Sequence, residues 1–183
     1  ISNLTAAQQG NGTVQIDYTL TDNESDPSSL NAYEYSLTGA FSGEQQVMTA
    51  STTDPLHEGV SGLNSSPAGT SHKFIWNAKA DLGDTYAPAV YVRLRANDGI
   101  VSGAYAVSTA FAVDAADPAV SNVAASQTLG STDVSIGYDL ADDNADNISV
   151  ALDVSDDGGA TWNVVASNIS GDIGSGIAAG SGK

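Results

Sequence analysis

Val14-Gln-Ile-Asp-Tyr-Thr-Leu20 alternates apolar and polar side chains with a strict period of two. Successive side chains of a β-strand point to opposite faces of a sheet, so this alternation predicts a strand with one buried face and one solvated face. The same pattern recurs in residues 90–96, 134–140 and 150–154, with Gly, Asn, Asp or Pro clusters between the runs. No stretch shows a helical period with end caps. The sequence therefore predicts an all-β protein.

The chain also repeats itself. Ile1-Ser-Asn-Leu-Thr-Ala-Ala-Gln8 returns as Val120-Ser-Asn-Val-Ala-Ala-Ser-Gln127, and the alternating run returns as Val134-Ser-Ile-Gly-Tyr-Asp-Leu140. A period of about 120 residues is too long for a solenoid and fits tandem domains. We predict a first domain at residues 1–115, a linker at 116–119 and a second domain at 120–183.

Seven strands are predicted in the first repeat, near residues 2–8, 13–21, 32–38, 45–50, 72–77, 88–97 and 104–113. Seven short strands in about 115 residues fit a Greek-key β-sandwich. In the second repeat Lys183 aligns with Lys73, so the last three strands have no counterpart in the sequence. We expect the parent protein to continue past Lys183; the alternative is a strand supplied by another chain.

Composition excludes several classes of function. Five Lys and Arg against 22 Asp and Glu give a net charge of −17, which would repel nucleic acid and anionic membrane surfaces. Without Cys, the chain can form neither disulfides nor a thiolate metal site. No apolar run approaches the roughly 20 residues that span a bilayer, so we expect no membrane insertion. Abundant Gly, Ser, Thr, Asn and Ala are typical of secreted bacterial surface proteins.

Four segments carry a family resemblance. They are Ile136-Gly-Tyr-Asp-Leu140, Ser155-Asp-Asp-Gly-Gly-Ala-Thr-Trp162, Gly180-Ser-Gly-Lys183 and Lys73-Phe-Ile-Trp-Asn-Ala78. They resemble the fibronectin III-like or Ig-like repeats of large bacterial extracellular proteins. The resemblance implies tandem Greek-key sandwiches, the second one incomplete at its C-terminus. It also implies a spacer or adhesive setting, because such modules accompany adhesins and glycan-active enzymes.

Acidic side chains cluster in the loop that follows the second strand of each repeat and in the linker. Carboxylates at alternate positions are the oxygen ligands that Ca²⁺ prefers, whereas the alternative interpretation is a solvated acidic turn. Linker acids facing the second loop would form an interdomain calcium clamp. The candidate calcium ligands are Asp22, Glu24, Asp26, Asp98, Asp114, Asp117, Asp142, Asp143 and Asp146.

Three further patterns carry expectations about individual residues. Residues 155–162 match an Asp-box hairpin, for which we expect Gly158 and Gly159 at positive φ and Trp162 packed beneath. His57 and His72 are expected at the surface or in turns, with no pattern that ties them to a nucleophile. Trp76 and Tyr91 are expected in the core rather than as sugar platforms.

The function predicted from these observations is a non-catalytic structural or adhesive module of a larger secreted or cell-surface protein, stiffened by Ca²⁺. Its expected partners are neighbouring domains, copies of itself, a glycan or a cell-surface protein. One alternative is a carbohydrate-binding or accessory spacer module of an extracellular enzyme. The other is a filament subunit completed by strand donation.

Overall fold

A computed structural model describes residues 1–9, 12–143 and 147–183 of the chain. The protein is all-β with antiparallel sheets, as the alternating runs predict. It divides into two compact units, Ile1–Ala116 and Asp117–Lys183. Within the described ranges, no helix has the length and apolar character needed to cross a membrane.

Unit 1, Ile1–Ala116, folds into two sheets. One sheet has the order β1-β2-β5 and the other β4-β3-β6-β7, with β8 also paired to β6. Its elements are β1 (Ser2–Gln8), β2 (Val14–Leu20), β3 (Ser29–Ser36), β4 (Gln46–Val47), β5 (Thr70–Trp76), α1 (Ala78–Leu82), β6 (Tyr86–Asn97), β7 (Ala106–Val107) and β8 (Phe111–Asp114).

The core of unit 1 lies between these two sheets. The apolar residues of β2 are all buried, and so are Val90, Val92 and Leu94 of β6 on the facing sheet. Trp76 of β5 stacks on Tyr35 of β3 with 4.8 Å between the ring centroids, joining the sheets directly. Two sheets that share one apolar core are consistent with a β-sandwich. The period-two prediction is confirmed for both runs.

A five-residue helix, α1, is present where the sequence predicts none. The side chain of Asn77 accepts a hydrogen bond from Ala80 N and begins the helix. Asp81 of the helix accepts three hydrogen bonds, from Thr49 N at 2.7 Å, Thr49 Oγ1 at 2.6 Å and Trp76 Nε1 at 2.6 Å. A segment this short cannot show a helical period, and its stability comes from these contacts.

The chain enters and leaves unit 1 at opposite ends. At the first end Ser2 of β1 pairs with Thr19 of β2, and at the other end Gln8 pairs with Val14. Asp114, the last residue of β8, is bonded to Gln8. The side-chain Nε2 of Gln8 donates to Asp114 O, and Asp114 N donates to Gln8 Oε1 at 2.6 Å. The side-chain carboxamide of Gln8 thus joins β1, the first strand of the unit, to β8, the last.

Unit 2, Asp117–Lys183, contains β9 (Ala119–Gln127), β10 (Val134–Ala141), β11 (Ile148–Val150) and β12 (Gly174–Ile177). β9 pairs with β10, and β11 pairs with β12. Leu140 exchanges two backbone hydrogen bonds with Gly180, and Tyr138 exchanges two with Lys183. Among the described apolar residues of this unit only Leu140 and Ile148 are buried, whereas Val134 is 53 % exposed.

Candidate functional site

The first acidic loop, residues 21–28, follows β2. Asp22 is half-buried, and its Oδ2 accepts a hydrogen bond from Asp26 N at 2.9 Å. This contact closes a turn between Asp22 and Asp26. The side chains of Glu24 and Asp26 are exposed to solvent. One carboxylate therefore shapes the loop, and two others lie on its surface.

Asp98 lies at the same end of unit 1 as this loop, because Ser29 at the start of β3 pairs with Asn97 at the end of β6. Its Oδ1 accepts hydrogen bonds from Ile100 N at 2.8 Å and Val101 N at 2.7 Å. These backbone donors lower the pKa of the Asp98 carboxyl below its ordinary value. The carboxylate is held ionised as the organiser of a turn.

Asp114 lies at the opposite end of unit 1 from Asp22 and Asp98. Its Oδ1 accepts a hydrogen bond from Ala116 N at 3.1 Å, and its backbone is bonded to Gln8. Asp114 is thus separated from the four candidate acids at the other end of unit 1, which are Asp22, Glu24, Asp26 and Asp98.

In unit 2 the β9–β10 ladder ends with the pair Ala119 and Ala141. Asp117 precedes this pair and Asp142 follows it, so the register brings both acids to one end of the hairpin. Asp142 is half-buried and Asp143 is exposed. Asp146 lies outside the described residues. The predicted clamp between Asp114 and this loop stays a prediction.

In the part of the chain that the structure describes, no group of three His, Asp or Glu side chains is arranged to hold a metal ion. Calcium ligation by the acids named above likewise stays a prediction.

The loop at Ser155–Thr161 is organised by Asp157. The carboxylate accepts Thr161 N at 2.9 Å, Thr161 Oγ1 at 2.7 Å and Ser155 Oγ at 2.7 Å. These donors lower the pKa of Asp157 to about 2, those of Thr161 contributing most. Gly158 and Gly159 have φ of 75° and 89°, as the hairpin prediction requires. The Asp therefore has a structural role in the turn.

The expectation that Trp162, next to this loop, packs beneath the hairpin is wrong. Its side chain is 62 % exposed rather than packed beneath the hairpin. The indole lies beside the loop, because a Cβ added to Gly159 would be 3.7 Å from Trp162 Cζ2.

The expectation for His72 is also wrong, because its side chain is 5 % exposed and lies inside unit 1. Its Nδ1 lies 2.7 Å from Glu58 Oε2, and its Nε2 lies 2.7 Å from Asn64 O. A signal for this burial exists in the sequence, since His72 alternates in phase with Phe74 and Trp76 on β5. His57 is half-buried, and its ring meets Phe74 edge-on at 5.0 Å.

An arginine and aromatic cluster on the outer face of β6 was not predicted. Arg93 Nε donates to Glu34 Oε2 at 2.6 Å, and Arg93 Cζ lies 4.1 Å from the centre of the Tyr105 ring and 4.6 Å from that of Phe41. Arg95 Cζ lies 4.7 Å from the same Tyr105 ring. These distances are within the range of cation–π interactions, which favour a guanidinium placed over an aromatic ring. The sequence signal is the alternation of the two arginines with buried Val92 and Leu94.

Tyr91 belongs to this outer face as well. It is half-buried rather than part of the core, and a Cβ on Gly39 would lie 3.0 Å from its ring. The expectation of a core position is confirmed for Trp76 and wrong for Tyr91. Gly39 has φ of 74°, so both its conformation and this close approach favour glycine.

Two asparagines in the repeated segment have the same geometry. Asn3 in β1 has φ of 52° and Asn122 in β9 has φ of 51°. Each lies beside a register shift of its hairpin. Asn3 Nδ2 donates to Thr19 Oγ1 at 3.4 Å, and Asn122 Nδ2 donates to Asp139 Oδ2 at 2.6 Å. Thr19 and Asp139 occupy equivalent positions of the repeated run, so the two hairpins share one irregularity.

Comparison with protein-family models, with curated proteins and with solved structures found no significant match for the chain.

Proposed function

We propose that the protein is a non-catalytic structural or adhesive module of a larger secreted or cell-surface protein. In this proposal each unit derives from one β-sandwich repeat of the fibronectin III or Ig type. Bacterial origin, extracellular location and Ca²⁺ stiffening are parts of the same proposal.

The observation that carries the proposal is the path of the chain through unit 1. The chain enters beside Ser2 and leaves after Asp114, at opposite ends of the strands. A domain whose termini lie at opposite ends can be joined end to end with similar domains. Tension on the chain would then act along the strands and on the two hydrogen bonds between Gln8 and Asp114. Domains of this kind act as spacers because tension passes from one terminus to the other through packed strands.

The common irregularity of the two hairpins supports the tandem part of the proposal. A left-handed Asn beside a bulge is an uncommon local solution, and β-bulges are retained within families. Its occurrence in β1 and again in β9, within segments of similar sequence, favours duplication of one repeat.

The mechanical role is tested by pulling single molecules of the full chain between Ile1 and Lys183. We expect unit 1 to open in one cooperative event that lengthens the chain by roughly 350 Å, the extended length of about 380–420 Å for its 116 residues less the distance between the ends of the folded unit. Substituting Gln8→Ala removes both hydrogen bonds to Asp114 and lowers the force of that event. Gln9→Ala is the matched control. Gradual lengthening without such an event would contradict the role.

The calcium part is tested separately by thermal melting with CaCl₂, with EDTA and with NaCl at matched ionic strength. Because a net charge of −17 repels itself, any salt should raise the Tm through screening. A bound ion raises the Tm further, and E24Q/D26N, which leaves the contact of Asp22 Oδ2 with Asp26 N in place, removes that excess. Equal effects of the two salts would exclude a specific site.

Exposed aromatic rings favour a second candidate, the carbohydrate-binding or accessory module. Trp162 is 62 % exposed and Tyr105 is 39 % exposed, and rings of this kind stack on sugars. The test is binding of the full chain to immobilised neutral and acidic glycans. Retention that Trp162→Ala or Tyr105→Ala abolishes would support this candidate, and no retention on any glycan would exclude it for the sugars tested.

A further inference from the structure

Residues 49–58, here called the cover segment, run along the edge of β5 that faces away from β2. Part of this contact is ordinary backbone pairing: Ser51 N donates to Ile75 O at 2.8 Å, and Asn77 N donates to Thr49 O at 2.8 Å. Further along, Glu58 N donates to Lys73 O at 3.3 Å. Two β5 amides are instead satisfied by side chains.

Those two amides are the donors of Lys73 and Ile75. Lys73 N donates to Glu58 Oε1 at 3.2 Å, and Ile75 N donates to His57 Nδ1 at 3.1 Å. An uncovered strand edge pairs readily with other chains, so these acceptors protect the sheet. Protection by ionisable side chains makes the closure depend on their protonation.

His57 closes the edge only when Nδ1 carries no proton, because the nitrogen accepts the hydrogen bond from Ile75 N. Burial lowers the pKa of His57 below its ordinary value, while the carboxylates of Asp54 and Glu58 act in the opposite direction. The ring faces Phe74 of β5 and these two acids of the cover segment. Only the neutral form of His57 can accept the hydrogen bond from Ile75 N.

His72 requires the opposite state. Its Nδ1 meets Glu58 Oε2 and its Nε2 meets Asn64 O, each at 2.7 Å. A carbonyl oxygen and an ionised carboxylate can only accept, so both contacts are hydrogen bonds only when both ring nitrogens carry protons. The imidazolium then fixes Glu58, whose other oxygen covers Lys73 N.

The phenol of Tyr18 on β2 also faces His72, with the ring centroids 5.7 Å apart. The neighbouring Lys73 ammonium is paired to Asp17 Oδ1 at 2.6 Å across the β2–β5 ladder. Glu58 is thus the carboxylate in direct contact with the His72 ring. The charge of the ring and the position of the cover segment are therefore coupled through Glu58.

We propose that the cover segment stays on the β5 edge only within a limited pH range. Protonation of His57 releases it in acid, and deprotonation of His72 releases it in base. Between these limits one histidine is neutral and the other is cationic, and the β5 edge is closed. Outside them the amides of Lys73 and Ile75 become available to pair with another strand.

The direction of each pH effect follows from the protons that the folded and unfolded states bind. A lowered pKa means that the His57 contribution is complete above the pKa of the unfolded chain and is lost as pH falls through the folded value. Both His72 contacts need a proton on the ring nitrogen, so the loss of either proton breaks one of them. Each one-proton step changes the opening equilibrium by at most about tenfold per pH unit.

The test combines two NMR readouts on the full chain over a pH series. Imidazole ¹⁵N signals give the protonation of each ring, and hydrogen exchange, corrected for the intrinsic rate, gives the protection of the Lys73 and Ile75 amides. We expect one proton on His57, at Nε2, and two on His72 wherever both amides are protected. A singly protonated His72 in that range would overturn the proposal.

Two variants separate the release of the cover segment in acid from its release in base. His57→Asn places an oxygen where Nδ1 stood and cannot be protonated in this range, so protection of Ile75 should persist into acid while the alkaline loss remains. His72→Gln should lower protection at every pH and remove the alkaline step. An acid loss that persists unchanged in His57→Asn would overturn the role of His57. If His72→Gln does not fold, the ring protonation of the unmodified chain still decides the matter.

Discussion

Tyr18 carries a buried hydroxyl that makes no hydrogen bond within the described part of the chain. Its side chain is 2 % exposed. Burial, with a smaller effect from the Glu58 carboxylate, raises the pKa of the Tyr18 phenol well above its ordinary value. The equivalent Tyr138 in unit 2 donates its hydroxyl to Asp172 O. The period of two predicts that Tyr18 points inward, but the partner of its hydroxyl depends on a loop distant in sequence.

Tyr18→Phe should therefore leave the stability of unit 1 unchanged or raise it by up to about 1 kcal/mol near neutral pH, because no hydrogen bond is lost. A raised pKa adds a second effect. The neutral phenol stabilises the fold below the unfolded value of about 10, and that contribution is lost as pH rises further. The variant should resist alkali better than the parent chain.

Urea unfolding near neutral pH and near pH 11, followed by the amide NMR signals of each unit, measures both effects. Tyr138→Phe serves as the comparison, because it removes a hydrogen bond and should cost unit 2 about 1 kcal/mol. A loss of several kcal/mol in Tyr18→Phe at neutral pH would reveal a partner for the hydroxyl.

Strand β5 depends on an acid outside its own sheet. Asp81 of α1 satisfies the indole N–H of Trp76, a ring that is fully buried between the sheets. Asp81→Ala should lower the free energy of unfolding of unit 1 by about 1–3 kcal/mol, because the buried N–H loses its acceptor. Thermal melting of the full chain would detect this loss.

Asp81→Asn provides the matched control. Its carboxamide oxygen can still accept from the indole but carries no charge, so its loss should be smaller than that of Asp81→Ala. Equal stabilities of the parent chain and Asp81→Ala would show that Trp76 does not depend on this helix.

The long strands were predictable, and the short elements were not. β2, β6 and β10 follow from alternation because four or more apolar residues in phase predict a strand. β4 and β7 have two residues each, too few for any period. The predicted strand at 104–113 is in fact β7 followed by β8, which pair with different parts of β6.

The acidic loops were found by composition, but their geometry was not predictable. The position of Asp22 relative to Asp26 is fixed by a turn of five residues, which residue type alone does not specify. The arginine cluster depends on strand register, which places Tyr105 opposite Arg95 and diagonally across from Arg93. Register is set by tertiary packing, so these contacts appear only in the folded chain.

At the scale of the whole molecule, the two units differ in how much apolar surface they bury. Val14, Ile16 and Trp76 of unit 1 are fully buried, whereas Val134 in the repeated run of unit 2 is half-exposed. Burial of apolar area is the main stabilising term in folding. Unit 2 should therefore be the less stable unit when the full chain is heated.

Hydrogen exchange resolved by residue would measure this difference. We expect amides of β2, β5 and β6 to exchange through global opening of unit 1, and amides of β9 and β10 to exchange at least tenfold faster once corrected for intrinsic rates. Equal protection of both units would contradict the lower stability expected for unit 2 and would indicate additional buried contacts there.

The link between Gln8 and Asp114 also constrains how the protein is made. These residues are 106 positions apart, and within unit 1 β1 is translated before every other strand while β8 is translated last. Contacts between distant residues carry a large loop-closure cost and form slowly. The first strand must therefore wait for nearly the whole unit to be translated before it gains its final anchor. A nascent chain arrested before Asp114 would leave β1 without that anchor, and the sandwich would close in one late step of synthesis.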